Sequence, residues 1–192
     1  MISAIILAAG ESKRMGQPKM LLKWGETTVL GKVIATFRAA GIQDVLVITG
    51  GAREQVEIAI GDSARTVFNK DYKSGEMLSS IQTGLTAMQT ETEAVLIGLG
   101  DQPQVEKETV QLVVQGYERT GSAIIVPSYQ FHRGHPWLVA REHWQTILNM
   151  QAPDSPREFL NRFHNEIHYV EVDTPTILQD LDTPEDYSKS RP

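Results

Sequence analysis

The chain has 192 residues, a length that suits one domain with a substantial core and is long for two. A hydrophobic share of 41% and a charged share of 22% are ordinary for a globular protein, and the net charge of −6 excludes a nucleic-acid binder that relies on blanket phosphate neutralisation. The absence of cysteine excludes disulfides, thiolate metal sites and thiol nucleophiles, so any metal must be held by carboxylate, carbonyl or imidazole, a donor set that suits Mg²⁺.

In chain order, the apolar run Ala4–Leu7 predicts a buried strand. Val29, Leu30, Val33, Ile34 and Phe37 recur at helical spacing, and Gly41 stops that helix. Val45–Ile48 is a short β-branched run closed by Gly50-Gly51, hence a second buried strand. Glu54–Ile60 reads as helix, Thr66–Asn69 as a brief strand, and Leu78–Met88 as a helix containing Gly84. Ala94–Leu99 is a third core strand, Val105–Tyr117 has helical periodicity, and Ala123–Val126 is a strand stopped by Pro127. Alternation at these lengths predicts an α/β sandwich around a mostly parallel sheet. No repeat, low-complexity tract or linker interrupts it, so residues 1–192 read as a single domain with a frayed tail at Ser188–Pro192. The N-terminal apolar run is too short for a signal peptide and no stretch approaches the roughly 20 apolar residues that cross a bilayer, so the expectation is a soluble, cytoplasmic chain with no membrane partner.

Ligands of such sheets sit beyond the carboxyl ends of the strands, where three suggestive loops follow strand ends: Ala8–Lys19, Gly50-Gly51 and Gly100–Pro103. In the first, small residues let the backbone approach a ligand, exposed N–H groups form an anion site, and Arg14 and Lys19 add positive charge. The loop is neither a P-loop nor a dinucleotide fingerprint, because G-x-x-x-x-G-K-[ST] and G-x-G-x-x-G are both missing. Asp101, after a strand of core character, either faces the ligand crevice or caps the next helix. In Asp180-Leu181-Asp182-Thr183-Pro184-Glu185-Asp186, Asp182 or Thr183 caps a helix whose first turn carries the proline and acids. That account leaves the pair Asp180 and Asp182 unexplained. Asn69 to Leu85 reads locally as a loop capping an amphipathic helix, with Ser79 or Ser80 on its polar side and Gly84 at a close helix contact, and Arg133-Gly134-His135-Pro136 as a turn with a hydrogen-bonding histidine. The remaining histidines show no metal-ligand spacing, and Trp24, Trp137 and Trp144 read as packing residues.

The run Leu7-Ala8-Ala9-Gly10-x-Ser12-x-Arg14-Met15-Gly16-x-x-Lys19 resembles the signature loop of the molybdenum cofactor nucleotidyltransferases, and within them the molybdenum cofactor cytidylyltransferase family. The likeness extends from Ala4 to Tyr187. It implies a three-layer sandwich with a Rossmann-like sheet of the nucleotide-diphospho-sugar transferase type, and transfer of CMP from CTP to the terminal phosphate of a molybdopterin cofactor. Ala9 stands where the guanylyltransferase branch usually carries Gly, which favours cytidine. The resemblance implies that Leu7 through Gly10, Ser12, Met15 and Gly16 cradle the triphosphate while Arg14 and Lys19 neutralise it. Gly-Asp-x-Pro implies Asp101 as a Mg²⁺ ligand, and the family segment D-I-D-T-P-E-D, here with Leu181 for Ile, implies Asp182 as the second, with Asp180 as fallback. Asn69, Gly75 and Ser80 would lie over the base and ribose, and Arg133, Gly134 and His135 would face the acceptor. Such proteins accompany purine-catabolic, molybdenum-dependent dehydrogenases as maturation factors, which implies a dehydrogenase client. The rival readings are a non-catalytic molybdopterin chaperone on the same fold, transfer from GTP or to another phosphorylated acceptor, and a dinucleotide oxidoreductase. The missing G-x-G-x-x-G counts against the last.

Overall fold

The computed structural model describes residues 1–192. Strand β1 (Ile2–Ala8) is buried from Ser3 onward, as a central parallel strand covered on both faces requires. A small antiparallel pair, β2 (Lys23–Trp24) and β3 (Thr27–Thr28), leads into α1 (Val29–Ala39), capped by the Thr28 hydroxyl accepting from Gly31 N. Then follow β4 (Val45–Thr49), α2 (Arg53–Ile60), β5 (Arg65–Phe68), α3 (Glu76–Thr86), β6 (Ala94–Leu99) and α4 (Lys107–Thr120). The remainder comprises β7 (Ile124–Tyr129), β8 (His132–Arg133), β9 (Trp137–Ala140), α5 (Trp144–Leu148), α6 (Pro156–Arg162), β10 (Ile167–Glu171) and α7 (Pro184–Ser190).

The strands order as β10-β7-β9-β6-β1-β4-β5, with β8 hairpinned onto β7. β1 pairs in parallel with β4 (Ile5 opposite Leu46) and with β6 (Ile5 opposite Ile97). Only β9 along this path runs against the rest, antiparallel to both β6 and β7, while β10 is parallel to β7. Alternate residues of β1 feed two cores, as the period-2 pleat dictates. Ile6 and Ala8 join Phe37 of α1, Val56 of α2 and Val110 of α4, whereas Ile5 and Leu7 join Ile81 of α3, Ile147 of α5 and Phe159 of α6. Helices therefore cover both faces, giving three layers. Gly84 lets α3 lie close on β1, since a Cβ there would stand 2.8 Å from Ile5 side-chain carbons. No helix is long and apolar enough to cross a membrane.

Three details differ from expectation. Strand β7 runs through Pro127 to Tyr129 instead of stopping at the proline, because Pro127 needs only its carbonyl at that position, which accepts from Gly134 N. Helices α3 and α4 each lie about two residues from their expected bounds, the usual scatter at frayed ends. The C-terminal tail is helical through Ser190 instead of frayed from Ser188. Thr183 and Asp186 form a reciprocal capping box, and Tyr187 anchors the helix by donating to Lys23 O and packing against Trp24.

Candidate active site

The carboxyl ends of β4, β1 and β6 lie side by side, so the loops that leave them touch. Gly51 N donates to Ala9 O at 3.3 Å, and Gly100 N donates to Leu7 O at 2.9 Å. Gly50 makes the first approach feasible, because a Cβ there would fall 2.2 Å from Ala9 O. The loop after Ala8 is closed on itself: Ser12 O accepts from Met15 N at 3.0 Å and Ser12 Oγ accepts from Lys19 N at 3.1 Å. Left-handed backbone at Ser12 and Gly16 makes the bends, and the buried Met15 pins the middle. No intrachain acceptor takes the N–H groups of Gly10, Lys13, Arg14 or Gly16, so they remain free for an anion.

Lys19 opens a short 3₁₀ helix (Lys19–Leu21), and its ammonium stands between two carboxylates, 2.5 Å from Asp101 Oδ2 and 3.0 Å from Asp182 Oδ1. Arg14 Nη1 donates to Asp182 Oδ2 at 3.1 Å from a more exposed position. Desolvation pulls the Lys19 ammonium toward neutrality, but the charges and hydrogen bonds of Asp101 and Asp182 outweigh it and hold its pKa above the usual 10.5. The helix-cap alternatives are decided by geometry. α4 starts at Lys107 behind Glu106, and Thr183 caps α7, so neither Asp101 nor Asp182 is occupied by a helix end. Asp180 lies apart from Lys19's bridge and accepts from Gln102 Nε2 at 2.7 Å. Its carboxyl is raised above the usual 3.8 by surrounding protein that excludes water and then by the charges of Asp101 and Asp182.

Among the residues expected near the base, Asn69 and Ser80 are buried and bonded to each other. Asn69 Nδ2 donates to Ser79 Oγ at 2.8 Å and Ser80 Oγ at 3.0 Å, while its Oδ1 accepts from Asp71 N. Gly75 sits tight against Ser79 at the start of α3. This cluster shapes the loop preceding α3.

A cavity of about 1030 Å³ adjoins the ionic cluster instead of enclosing it. Its wall includes Gly75, Ser79 and Gln82 from the α3 region, Arg133, Gly134 and His135, and the segment from Met150 to Asn161 with Arg157. Arg133 is held by donating to Tyr169 Oη and Asn161 Oδ1, both at 2.8 Å. His135 Nδ1 lies 3.2 Å from Ile97 O, which accepts and thereby places the proton on Nδ1, leaving Nε2 as an acceptor. Desolvation lowers its pKa below 6.5 against the opposing pull of Ile97 O and Asp101, so the ring is neutral near pH 7. Gly134 lies directly against Ile177, whose carbonyl accepts from His135 N. Arg157, Asn161 and Tyr169 carried no sequence signal, because their neighbourhood arises only when α6 and β10 fold beside β7.

Residues 4–167 match the MobA-like NTP transferase domain. The chain belongs to that family. It is 29% identical over 187 residues to the molybdenum cofactor cytidylyltransferase of Escherichia coli K12, covering 97% of this chain and 93% of that one. It is 27% identical to a probable molybdenum cofactor guanylyltransferase of Natranaerobius thermophilus, covering 99% and 95%. The solved structure of Rv0371c from Mycobacterium tuberculosis superposes with a TM-score of 0.85 at 27% identity, covering 98% and 96%. A manganese complex of that mycobacterial protein superposes at 0.77 with 26% identity, covering 98% and 96%. The three-layer fold is therefore that of a nucleotidyltransferase, and this chain is one.

Proposed function

We propose that the chain transfers CMP from CTP to the terminal phosphate of a molybdopterin cofactor, releasing pyrophosphate, for maturation of a molybdenum-dependent dehydrogenase. The observation that carries the reading is the Lys19 ammonium shared by Asp101 and Asp182 at the mouth of a loop with free N–H groups. In-line displacement at the α-phosphorus needs positioning and charge stabilisation more than acid–base groups. The free N–H groups of Gly10 to Gly16 hold the triphosphate oxygens. Arg14 and Lys19 turn from the carboxylates toward the phosphates and neutralise the departing pyrophosphate.

Asp101 and Asp182 fit a divalent ion, for which Mg²⁺ is the choice. Both are hard oxygen donors within one ammonium's reach, and no third His, Asp or Glu converges there. Mg²⁺ is usually held by one or two carboxylates, with substrate phosphates and water as the other ligands. The manganese complex of the mycobacterial relative supports a divalent-metal site. Bound there, the ion supplies a Lewis acid and a template for the phosphates. Arg157 and the free end of Arg133 meet the anionic acceptor in the adjoining cavity, and the neutral His135 offers Nε2 to a donor on it. The acceptor phosphate is itself the nucleophile and needs no protein base.

Ala9 supports cytidine, while the guanylyltransferase relative, at near-equal identity, keeps GTP as the competing donor. Incubation with each nucleoside triphosphate, Mg²⁺ and molybdopterin, followed by pyrophosphate release, decides between them. The reading expects CTP-dependent release. Equal turnover with GTP would refute the base assignment, and tight pterin binding without turnover would convert the enzyme into a chaperone.

A further inference from the structure

Gln102 follows the candidate metal ligand Asp101 and is 3% exposed, yet neither the phosphate loop nor the cavity wall uses it. Its amide group reaches across to the C-terminal segment. Nε2 donates to Asp180 Oδ1 at 2.7 Å and approaches Ile177 O at 3.4 Å, while its own Oε1 is buried with no partner. The orientation is dictated by chemistry, since only the NH₂ end can face a carboxylate. A buried amide with one end unpaired is a poor packing element, and an apolar side chain of the same shape would fill the space at less cost. What the amide adds is the bond to Asp180.

That bond joins the two chain segments that carry Asp101 and Asp182. Next to it, Leu181 N donates to Asp101 O at 3.1 Å, and the fully buried Leu181 side chain packs with Trp24 and Val29. Asp180 and Asp182 flank this anchor on either side. One is held by Gln102 and the other reaches Lys19 and Arg14. We infer that Gln102 is a positioning residue that, through Asp180, fixes the separation of the Asp101 and Asp182 carboxylates and so tunes the divalent-metal site, with Asp180 an anchor instead of a ligand. The inference rests on the metal reading above.

The test measures Mn²⁺ binding by electron paramagnetic resonance in the presence of a non-hydrolysable CTP analogue, with thermal melting alongside. Loss of a residue that orients a metal ligand typically weakens metal binding by about 10- to 100-fold. Gln102→Leu is expected to weaken Mn²⁺ about 10-fold with the melting temperature little changed, and Gln102→Met serves if the leucine variant folds poorly. Asp180→Asn keeps an acceptor for Gln102 and is expected to leave binding within about 3-fold of the parent, well short of the 10-fold loss of an orienting residue. Gln102→Glu sets two carboxylates face to face and should weaken binding. Adding Asp180→Asn to it reverses the donor and acceptor, restores the net charge, and should rescue binding. Unmoved binding in Gln102→Leu, a double variant without rescue, or loss in Asp180→Asn as deep as in Asp101→Asn would each overturn the inference while leaving the metal site standing. Failure of the unmodified protein to bind Mn²⁺ with the nucleotide analogue would overturn the metal reading and this inference together.

Discussion

At the carboxyl ends of β1, β4 and β6 the site is ionic, and one segment, Leu7–Lys19, supplies the loop, its closure and both cations, while Asp101 and Asp182 come from distant loops. The adjoining cavity draws its wall from residues 74–82, 131–137 and 150–161 with Leu178, segments brought together only by folding, and it borders β8 and β9, the strands that run against the rest of the sheet. The first region is organised around charge, with Lys19 between Asp101 and Asp182. The second mixes apolar surface with two arginines and a neutral histidine. On the proposed reading, a site divided this way can keep its donor chemistry while its acceptor wall varies.

The strongest way to break the division is to remove the charge in the ionic region proposed to hold the nucleotide. Asp101→Ala and Lys19→Ala are each expected to lower kcat by about 10²- to 10³-fold, the scale for losing one charged contact to the transition state. Circular dichroism and melting should stay near the parent, because both side chains serve each other and the ligand instead of the apolar core. A well-folded Lys19→Ala protein with near-normal turnover would remove the residue from the chemistry. On the other side, Arg157→Ala is expected to raise the acceptor KM about ten-fold, the lower range for a lost hydrogen bond to a charged group, and to leave the CTP KM unchanged. A shift in the CTP KM instead would merge the two regions.

Two further effects are smaller and concern stability. Gly84→Ala drives a methyl group into Ile5, and overpacking of this kind costs about 1–3 kcal/mol; urea unfolding measures it. An unchanged midpoint would show that α3 can shift off β1. Asp180 gives a weak pH signature. Partial desolvation and then the Asp101 and Asp182 charges raise its folded pKa above 3.8, so the folded protein holds this proton more tightly than the unfolded chain. Its contribution is therefore fully present below about 3.8 and is lost as pH rises through the raised value. Asp180→Asn removes that loss, so the melting temperature of the variant minus that of the parent should grow as pH rises from near 4 toward 7. The side chain keeps solvent access, which keeps the effect small. A difference that shrinks with pH would contradict the sign.

The legibility of these features follows from how local their causes are. The central strands were plain because a parallel strand buried on both faces is a continuous apolar run, as in Ala4–Leu7 and Ala94–Leu99. Gly84 signalled a close helix contact because little else explains a glycine inside an apolar helix face. By contrast, β9 and β10 are short, and α6 begins with a capping box whose helix has only seven residues. The role of Asp182 hung on whether it or Thr183 capped α7, which spacing left open and the Thr183–Asp186 box decides. Gln102 was invisible in sequence because its partner Asp180 is 78 residues away.

The central claim is that the two regions serve one transfer. Supplied with Mg²⁺, CTP labelled at the α-phosphate and molybdopterin, the protein should move the label onto the pterin with stoichiometric pyrophosphate release, and Asp101→Asn should slow the movement by about 10²- to 10³-fold without unfolding. Tight binding of the pterin with no label transferred by the unmodified protein would contradict the account.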